Sequence, residues 1–538
     1  MRALRLAALA YLVAACGSPG RDTSPIEYAK YGPLAGSAGK GSWRFGVATA
    51  ATQIEDMNPN TDWYIWTEPA GSGGLGHGAA FVGDATMGYS MDLSDVTLVN
   101  SLGVDSYRFS IEWARIEPTP GNIDEDAITH YRTELMTLAS MGIHPLVTVH
   151  HFSNPIWVDD PRTISCQGGP GSANLCGLGD PVGGPMVVQA MADHATLLGQ
   201  RFGDLVDEWG TVNEPINYLL AAYGVGFFPP GESNVTDIPQ FANVLRNYLA
   251  AHAAMYKALK AADTVDADGD GVAASVGMSL NVVDWVATRN HQLSDDPDDT
   301  AALARMQYVY HYLWLDSIEN GTFDPTLSGS ATEPHPEWLG TLDWLGVQYY
   351  QRGGVSAENP LIGAPLNLAP CYAGIDDGQC LDAPDLSYCV PTMGYESYAP
   401  GIHDILVDLS KKYPTLPMVV TEAGIATDTG PRRAENIVRV LESVEQAREE
   451  GVDVRGYYHW SLTDNFEWEN GFAPHFGLYS VDYATYARTP TEGANVYQAI
   501  TTARELTHDQ REQYGGTGPM TAEANYTPDP TCTMVSSP

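Results

Sequence analysis

Basic charge is what this 538-residue chain has least of. It holds six lysines, and 27 lysines and arginines together face 67 acidic residues, giving a formal net charge of −40 and a pI near 4.4. Long-range repulsion then opposes nucleic acid and anionic lipid head groups as direct partners, and favours uncharged or cationic ones. The acidic excess is spread along the chain, as on a surface that stays dissolved at high ionic strength. Cysteine is scarce too: none of the 7 stands in a CxxC or histidine-rich setting, which argues against zinc. The apolar run over residues 6–15 is too short to span a bilayer as a mature helix.

That run follows arginines at positions 2 and 5, the pattern of an export signal. It closes as Leu12-Val-Ala-Ala-Cys16, which resembles the bacterial lipoprotein box whose cysteine is lipidated. Residues 1–16 are therefore expected to be a signal peptide with its lipobox, and Cys16 the lipid-bearing N-terminus of an exported protein of the cell envelope (periplasm or outer membrane). A secreted protein with an ordinary cleavable signal is the alternative. The Gly-, Ser- and Pro-rich residues 17–42 read as a flexible tether. Six cysteines remain, Cys166, Cys176, Cys371, Cys380, Cys389 and Cys532, an even number suited to disulfides in an exported chain. Cys166 with Cys176 would close a short loop; Cys371, Cys380 and Cys389 leave two sequence-near choices, with the third reaching Cys532. Spacing does not decide between them.

What the chain has in quantity is core material, 44% hydrophobic residues with 12 tryptophans and 29 tyrosines. From residue 43 on, short apolar runs alternate with longer amphipathic ones, the pattern of parallel strands joined by helices. Eight strands are expected, at 44–49, 104–110, 144–150, 206–213, 275–281, 343–348, 416–422 and 454–461. Helices are expected near 90–102, 125–141, 187–202, 239–262, 300–320, 402–412, 432–450 and 494–506. Eight strands close a barrel, so the fold class is α/β, a single (β/α)8 TIM barrel over residues 43–506. Long connections at 161–185 and 353–397 read as excursions over its C-terminal face, and residues 507–538 as a polar tail. Asp266, Asp268 and Asp270, with Gly271, take the first, third, fifth and sixth positions of a calcium loop, but the twelfth is Gly277, not the bidentate carboxylate. A surface turn is the expectation there, with calcium a weak candidate, and no cofactor is called for.

Two of the strands end in glutamate. Leu416-Pro-Met-Val-Val-Thr-Glu422 is followed by Ala423-Gly424, and the run from Val206 ends in Thr211-Val-Asn213-Glu214 before Pro215 stops the pairing. Carboxylates at the C-terminal mouth of a barrel suggest an acid and a nucleophile. One strand-end glutamate by itself is more often a loop charge. A third strand end, Tyr458-His-Trp460 followed by Glu467-Trp468, adds flat apolar faces that suit a sugar ring.

Over about residues 43–500 these strand ends resemble glycoside hydrolase family 1, the β-glucosidase family. The resemblance implies that Gln53, in Ala-Thr-Gln53-Ile-Glu55, and His151, in Val-His-His151-Phe152, bind sugar hydroxyls, and that Asn213 meets the sugar 2-hydroxyl. It gives Arg108 and Tyr350 to the support of the nucleophile, Trp460 to the platform under the sugar, and Glu467 and Trp468 to its 3-, 4- and 6-hydroxyls. Four positions depart from the family pattern: Phe152 for tryptophan, Gln348 for asparagine, Ala423 for asparagine and His475 for arginine. Glu467 and Trp468 argue for a non-phosphorylated sugar, and Glu214 keeps the acid that plant thioglucosidases replace.

The expected activity is a retaining β-glycosidase acting on a small carbohydrate, with Glu422 as nucleophile and Glu214 as acid, then base. Terminal β-D-glucosyl residues are the expected glycone, with galactosyl and fucosyl as alternatives. Two further readings are a catalytically impaired surface sugar-binding protein, marked by the substitutions, and a transglycosylase.

Overall fold

The eight expected strands are the staves of one closed parallel barrel in the computed structural model of the protein, which describes residues 21–535 apart from 164, 165, 167, 372, 373, 377 and 525. They are β1 (Arg44–Ala48), β2 (Ser106–Ser110), β3 (His144–His150), β4 (Glu208–Asn213), β5 (Ser275–Arg289), β6 (Trp344–Ser356), β7 (Met418–Ala423) and β8 (Val454–Trp460). Each pairs in parallel with the next, and β8 closes onto β1, with Trp460 level with Ala48. Both faces of these strands are covered, so their residues are buried almost throughout. Close packing inside the barrel uses glycine: the Tyr458 ring lies where a Cβ on Gly46 would stand, and its hydroxyl reaches Ser106 Oγ at 2.7 Å. At the foot of the barrel Arg44 and Glu208 form a fully buried ion pair.

The outer layer consists of α1 (Asp92–Ser101), α2 (Glu125–Ser140), α3 (Gly183–Phe202), α4 (Ile238–Ala262), α5 (Pro297–Gln307), α6 (Leu313–Asn320), α7 (Pro400–Lys412), α8 (Gly430–Glu449) and α9 (Glu492–Ala503). Acidic or hydroxyl side chains start several of them: Asp124 accepts from two N–H groups of α2, Asp237 from Gln240 N, Thr491 from Ala494 N. The single helix expected over 300–320 is interrupted by a π turn, Tyr308–Tyr312, between α5 and α6. Strands β5 and β6 run well past the expected 281 and 348. Beyond the rim they continue as a two-stranded ribbon to Val355 opposite Ala287, where Gly353 and Gly354 lie flat against Trp285 and Thr288. Glycines read as a loop in sequence are here the residues that let bulky neighbours close over the backbone.

The described part of the expected tether is a correction, because it is fastened to the barrel. Ile26–Glu27 pairs with Glu505–Leu506, Tyr28 and Leu34 are buried, and Arg21 reaches Glu442 at 3.1 Å. Two anchoring side chains outweigh a linker-like composition. The signal segment and Cys16 lie outside the described residues. Among the described residues no helix is long and apolar enough to cross a membrane. Three disulfides join Cys166 to Cys176, Cys371 to Cys380 and Cys389 to Cys532. The last bolts the tail onto the 353–397 excursion, whose Tyr388 donates to Thr517 O, while Arg439 of α8 donates to Gly518 O, each at 2.6 Å.

Candidate active site

At the end of β7, Glu422 is 3% exposed and held at both oxygens. Arg108 of β2 and Gln348 of β6 both donate to Oε1, Gln348 at 2.6 Å, and Tyr350 of β6 donates to Oε2 at 2.6 Å. Burial pushes this carboxyl up, while Arg108 and the Tyr350 hydroxyl pull it down. Gln348 is one methylene longer than asparagine, and β7 carries a register shift beside it that brings Gln348 level with Glu422. Its other N–H reaches Asn213 Oδ1 at 2.8 Å, which also accepts from Arg108 at 2.5 Å. With Oδ1 so occupied, the Asn213 amide nitrogen is the group left for a ligand.

Glu214 follows directly, in the left-handed region at φ 39°, where the chain leaves β4 for a short helix beginning at Pro215. Its surroundings differ in kind from those of Glu422. Two neutral amides hold it, Asn281 on Oε1 and Asn217 on Oε2, each at 3.0 Å. Burial first, then the charge of Glu422, raises its carboxyl to about 8. Glu422 is thus close enough for its charge to act on Glu214. The two residues are also joined through Asn213, Gln348 and Arg108.

The remaining site residues surround this pair. Gln53, completely buried, donates to Phe466 O at 2.9 Å and to Glu467 Oε2 at 3.4 Å, while its own Oε1 meets no donor among the described residues. Burial, then Glu422 and Glu214, raises Glu467 to about 8. The His151 ring stands nearly parallel to Trp460 and Trp468, with centroids 6.2 and 6.1 Å away, and burial keeps it neutral by lowering its pKa. Its Nδ1 likewise has no partner among the described residues. Buried polar atoms without partners are few in folded proteins, and several here converge on one place. Phe152 packs on Trp468 at 5.2 Å and Tyr218 at 5.7 Å, filling the wall behind the indole. Ala423 is fully buried, and His475 pairs with Asp428 at 2.5 Å.

Sequence reasoning missed Asn281 and Asn217. The first sits inside a strand and the second on a helix three residues past Glu214, and nothing in either local pattern separates such an amide from a core or surface residue. The calcium candidates are only partly assembled. Asp266 and Asp268 gather with Asp207, whereas Asp270 is turned to Val272 N. Backbone N–H groups of the turn already occupy these carboxylates, at Ala267, Asp268, Gly269 and Gly271, and the cluster lies at the foot of β4 and β5, opposite the mouth.

The sequence profile of Glycosyl hydrolase family 1 matches residues 40–506. The chain belongs to this family. As a glycosidase it resembles a β-galactosidase of Pyrococcus woesei, 29% identical over 518 residues, with 87% of this chain and 98% of that protein covered. Among solved structures, a β-glycosidase of Pyrococcus horikoshii superposes with a TM-score of 0.71 at 28% identity, covering 90% of this chain and 98% of the other. A family 1 β-glucosidase of Thermotoga maritima gives 0.71 at 25%, covering 86% and 98%. The glycosidase is thus a (β/α)8 barrel enzyme that hydrolyses β-glycosides, with its tail lying beyond the matched region.

Proposed function

We propose that the glycosidase releases terminal β-D-glucosyl residues from non-phosphorylated glycosides by double displacement, with Glu422 as nucleophile and Glu214 as acid, then base. One observation carries this reading: two neighbouring buried carboxyls are supported in opposite ways. Glu422 is held by a guanidinium, an amide and a phenol, which favour the carboxylate needed for attack. Glu214, among neutral amides and beside that negative charge, keeps its proton at neutral pH and can give it to the departing oxygen. When the glycosyl–enzyme forms, the charge on Glu422 disappears, the pKa of Glu214 falls, and it becomes the base for water.

Gln53, His151, Asn213, Glu467 and Trp468 offer polar groups to the sugar hydroxyls, and Trp460 a flat face to the ring. Glucosyl and galactosyl differ at the 4-hydroxyl, which Glu467 can meet in either orientation. A sugar-binding protein with lost catalysis would not need a nucleophile carrying three donors. Three disulfides support an oxidising, exported setting. Proton NMR of product released from a panel of aryl β-glycosides tests the proposal. It expects the β-anomer first, with β-glucosides cleaved fastest; initial release of the α-anomer would refute retention.

A further inference from the structure

We propose that Asn217, oriented by Tyr310, is a positioning residue that grips the second oxygen of Glu214 and leaves the acid proton to the leaving group. The inference rests on Glu214 being the acid and base, as proposed above. Asn217 lies one helical turn past Glu214, where i and i+3 side chains meet, and donates to Oε2 at 3.0 Å. Asn281 matches it on Oε1 from strand β5 at the same distance. With both oxygens accepting from amides, the proton of the acid form has no protein acceptor among its hydrogen-bond partners, and a glycosidic oxygen is the acceptor left.

An amide can present either end, so something must turn the NH2 of Asn217 towards Glu214. Tyr310 does so by donating its hydroxyl to Asn217 Oδ1. The tyrosine belongs to the π turn between α5 and α6 and packs edge-on against Trp285, with ring centroids 5.3 Å apart. π turns recur where a helix must aim a side chain at a functional site.

The groups acting on Glu214 come from several elements. Glu422 of β7 and Glu467 beyond β8 oppose its ionisation, and Arg108 of β2 favours it. Tyr350 of β6 is close enough to feel its charge and is neutral. The two amides add to Arg108 by stabilising the carboxylate. Their help matters most in the second half of the reaction, when Glu214 must be ionised to take a proton from water. Losing Asn217 should therefore raise the proton affinity of Glu214 and slow breakdown of the glycosyl–enzyme more than its formation.

The test compares Asn217→Leu and Tyr310→Phe with the wild-type enzyme, reading the pH limb of kcat/KM on a phenyl β-glycoside, whose departure needs the acid, and kcat on a dinitrophenyl β-glycoside, for which breakdown of the glycosyl–enzyme is the slow step. For Asn217→Leu, the alkaline limb of kcat/KM should move up by about one pH unit, and kcat should fall about tenfold with a smaller fall in kcat/KM. Tyr310→Phe should shift both in the same direction by less. A merely structural loss would scale kcat and kcat/KM together and leave the limb in place. That result in both variants overturns the inference, and if Asn217→Leu does not fold, Tyr310→Phe decides alone. Glu214→Ala, assayed with and without azide, separates the two claims. Azide rescue with an unshifted Asn217→Leu sinks only the positioning role, whereas near-normal activity of Glu214→Ala sinks the acid/base reading itself.

Discussion

Tyr350 gives its hydroxyl to Glu422 Oε2 at 2.6 Å, the oxygen that Arg108 and Gln348 leave to it. Oε1 carries two donors and Oε2 one, so a lone pair of Oε2 stays available for attack. The hydroxyl also helps hold the carboxylate ionised. Tyr350→Phe should lower kcat/KM by about 10- to 100-fold and move the acid limb of its pH profile upward, since one stabiliser of the charged form is gone. Steady-state kinetics against pH will check both.

The pH profile of the unmodified enzyme follows from the same pair. The proposed mechanism requires Glu422 ionised and Glu214 protonated. Glu422 is raised by burial, so the acid limb should lie above the ordinary glutamate value; Glu214 is raised to about 8, so the alkaline limb should fall near there. Glu214→Gln on a substrate whose leaving group needs no protonation should lose the alkaline limb and keep the acid one.

Stability should carry the mark of Glu214 as well. Its pKa is about 8 when folded against 4.5 for a solvated glutamate, so its protonated form stabilises the fold below the lower value, and that contribution is lost as pH rises to the upper one. Glu214→Gln removes this dependence. Differential scanning calorimetry should find the variant's Tm gaining on wild type by about 2 °C or more between pH 5 and pH 8. A constant difference would contradict the environment described for this carboxyl.

Much of this site could be read in the sequence because it sits where strands stop. Glu214 and Glu422 each close an apolar run, and Trp460 ends another, so position alone marked them. Arg108 and Gln53 needed the family resemblance, since a buried arginine or glutamine in a short run carries no local signature. Asn281 and Asn217 escaped both, because Asn281 meets Glu214 only across the barrel, and Asn217, though three residues from Glu214, is turned to it by Tyr310 from a distant helical segment. Residues 21–42 misled for the opposite reason: glycine, serine and proline dominate the composition, while Tyr28 and Leu34 decide the packing. Cysteine spacing allowed several pairings, and only the folded excursion brings Cys389 to Cys532.

The tail beyond the family match is expected to help shape the mouth. Cys389–Cys532 and Tyr388 bind it to the excursion, which in turn contacts the last-strand loop through Met393 and Asn470 at 3.9 Å and β6 through the Arg352–Glu396 pair at 2.8 Å. Cys532→Ser should lower Tm by roughly 5 °C and raise KM more than it lowers kcat, as thermal melts and kinetics on one preparation would show. Unchanged KM would mean that the tail only stabilises.

Which carboxyl attacks the sugar decides the mechanism. Incubation with a 2-deoxy-2-fluoro β-glucosyl fluoride, followed by peptide mass mapping, identifies that residue directly. One fluoroglucosyl group on Glu422, with activity lost in proportion, is the expected result; a label on Glu214, Glu467 or any other side chain would contradict it.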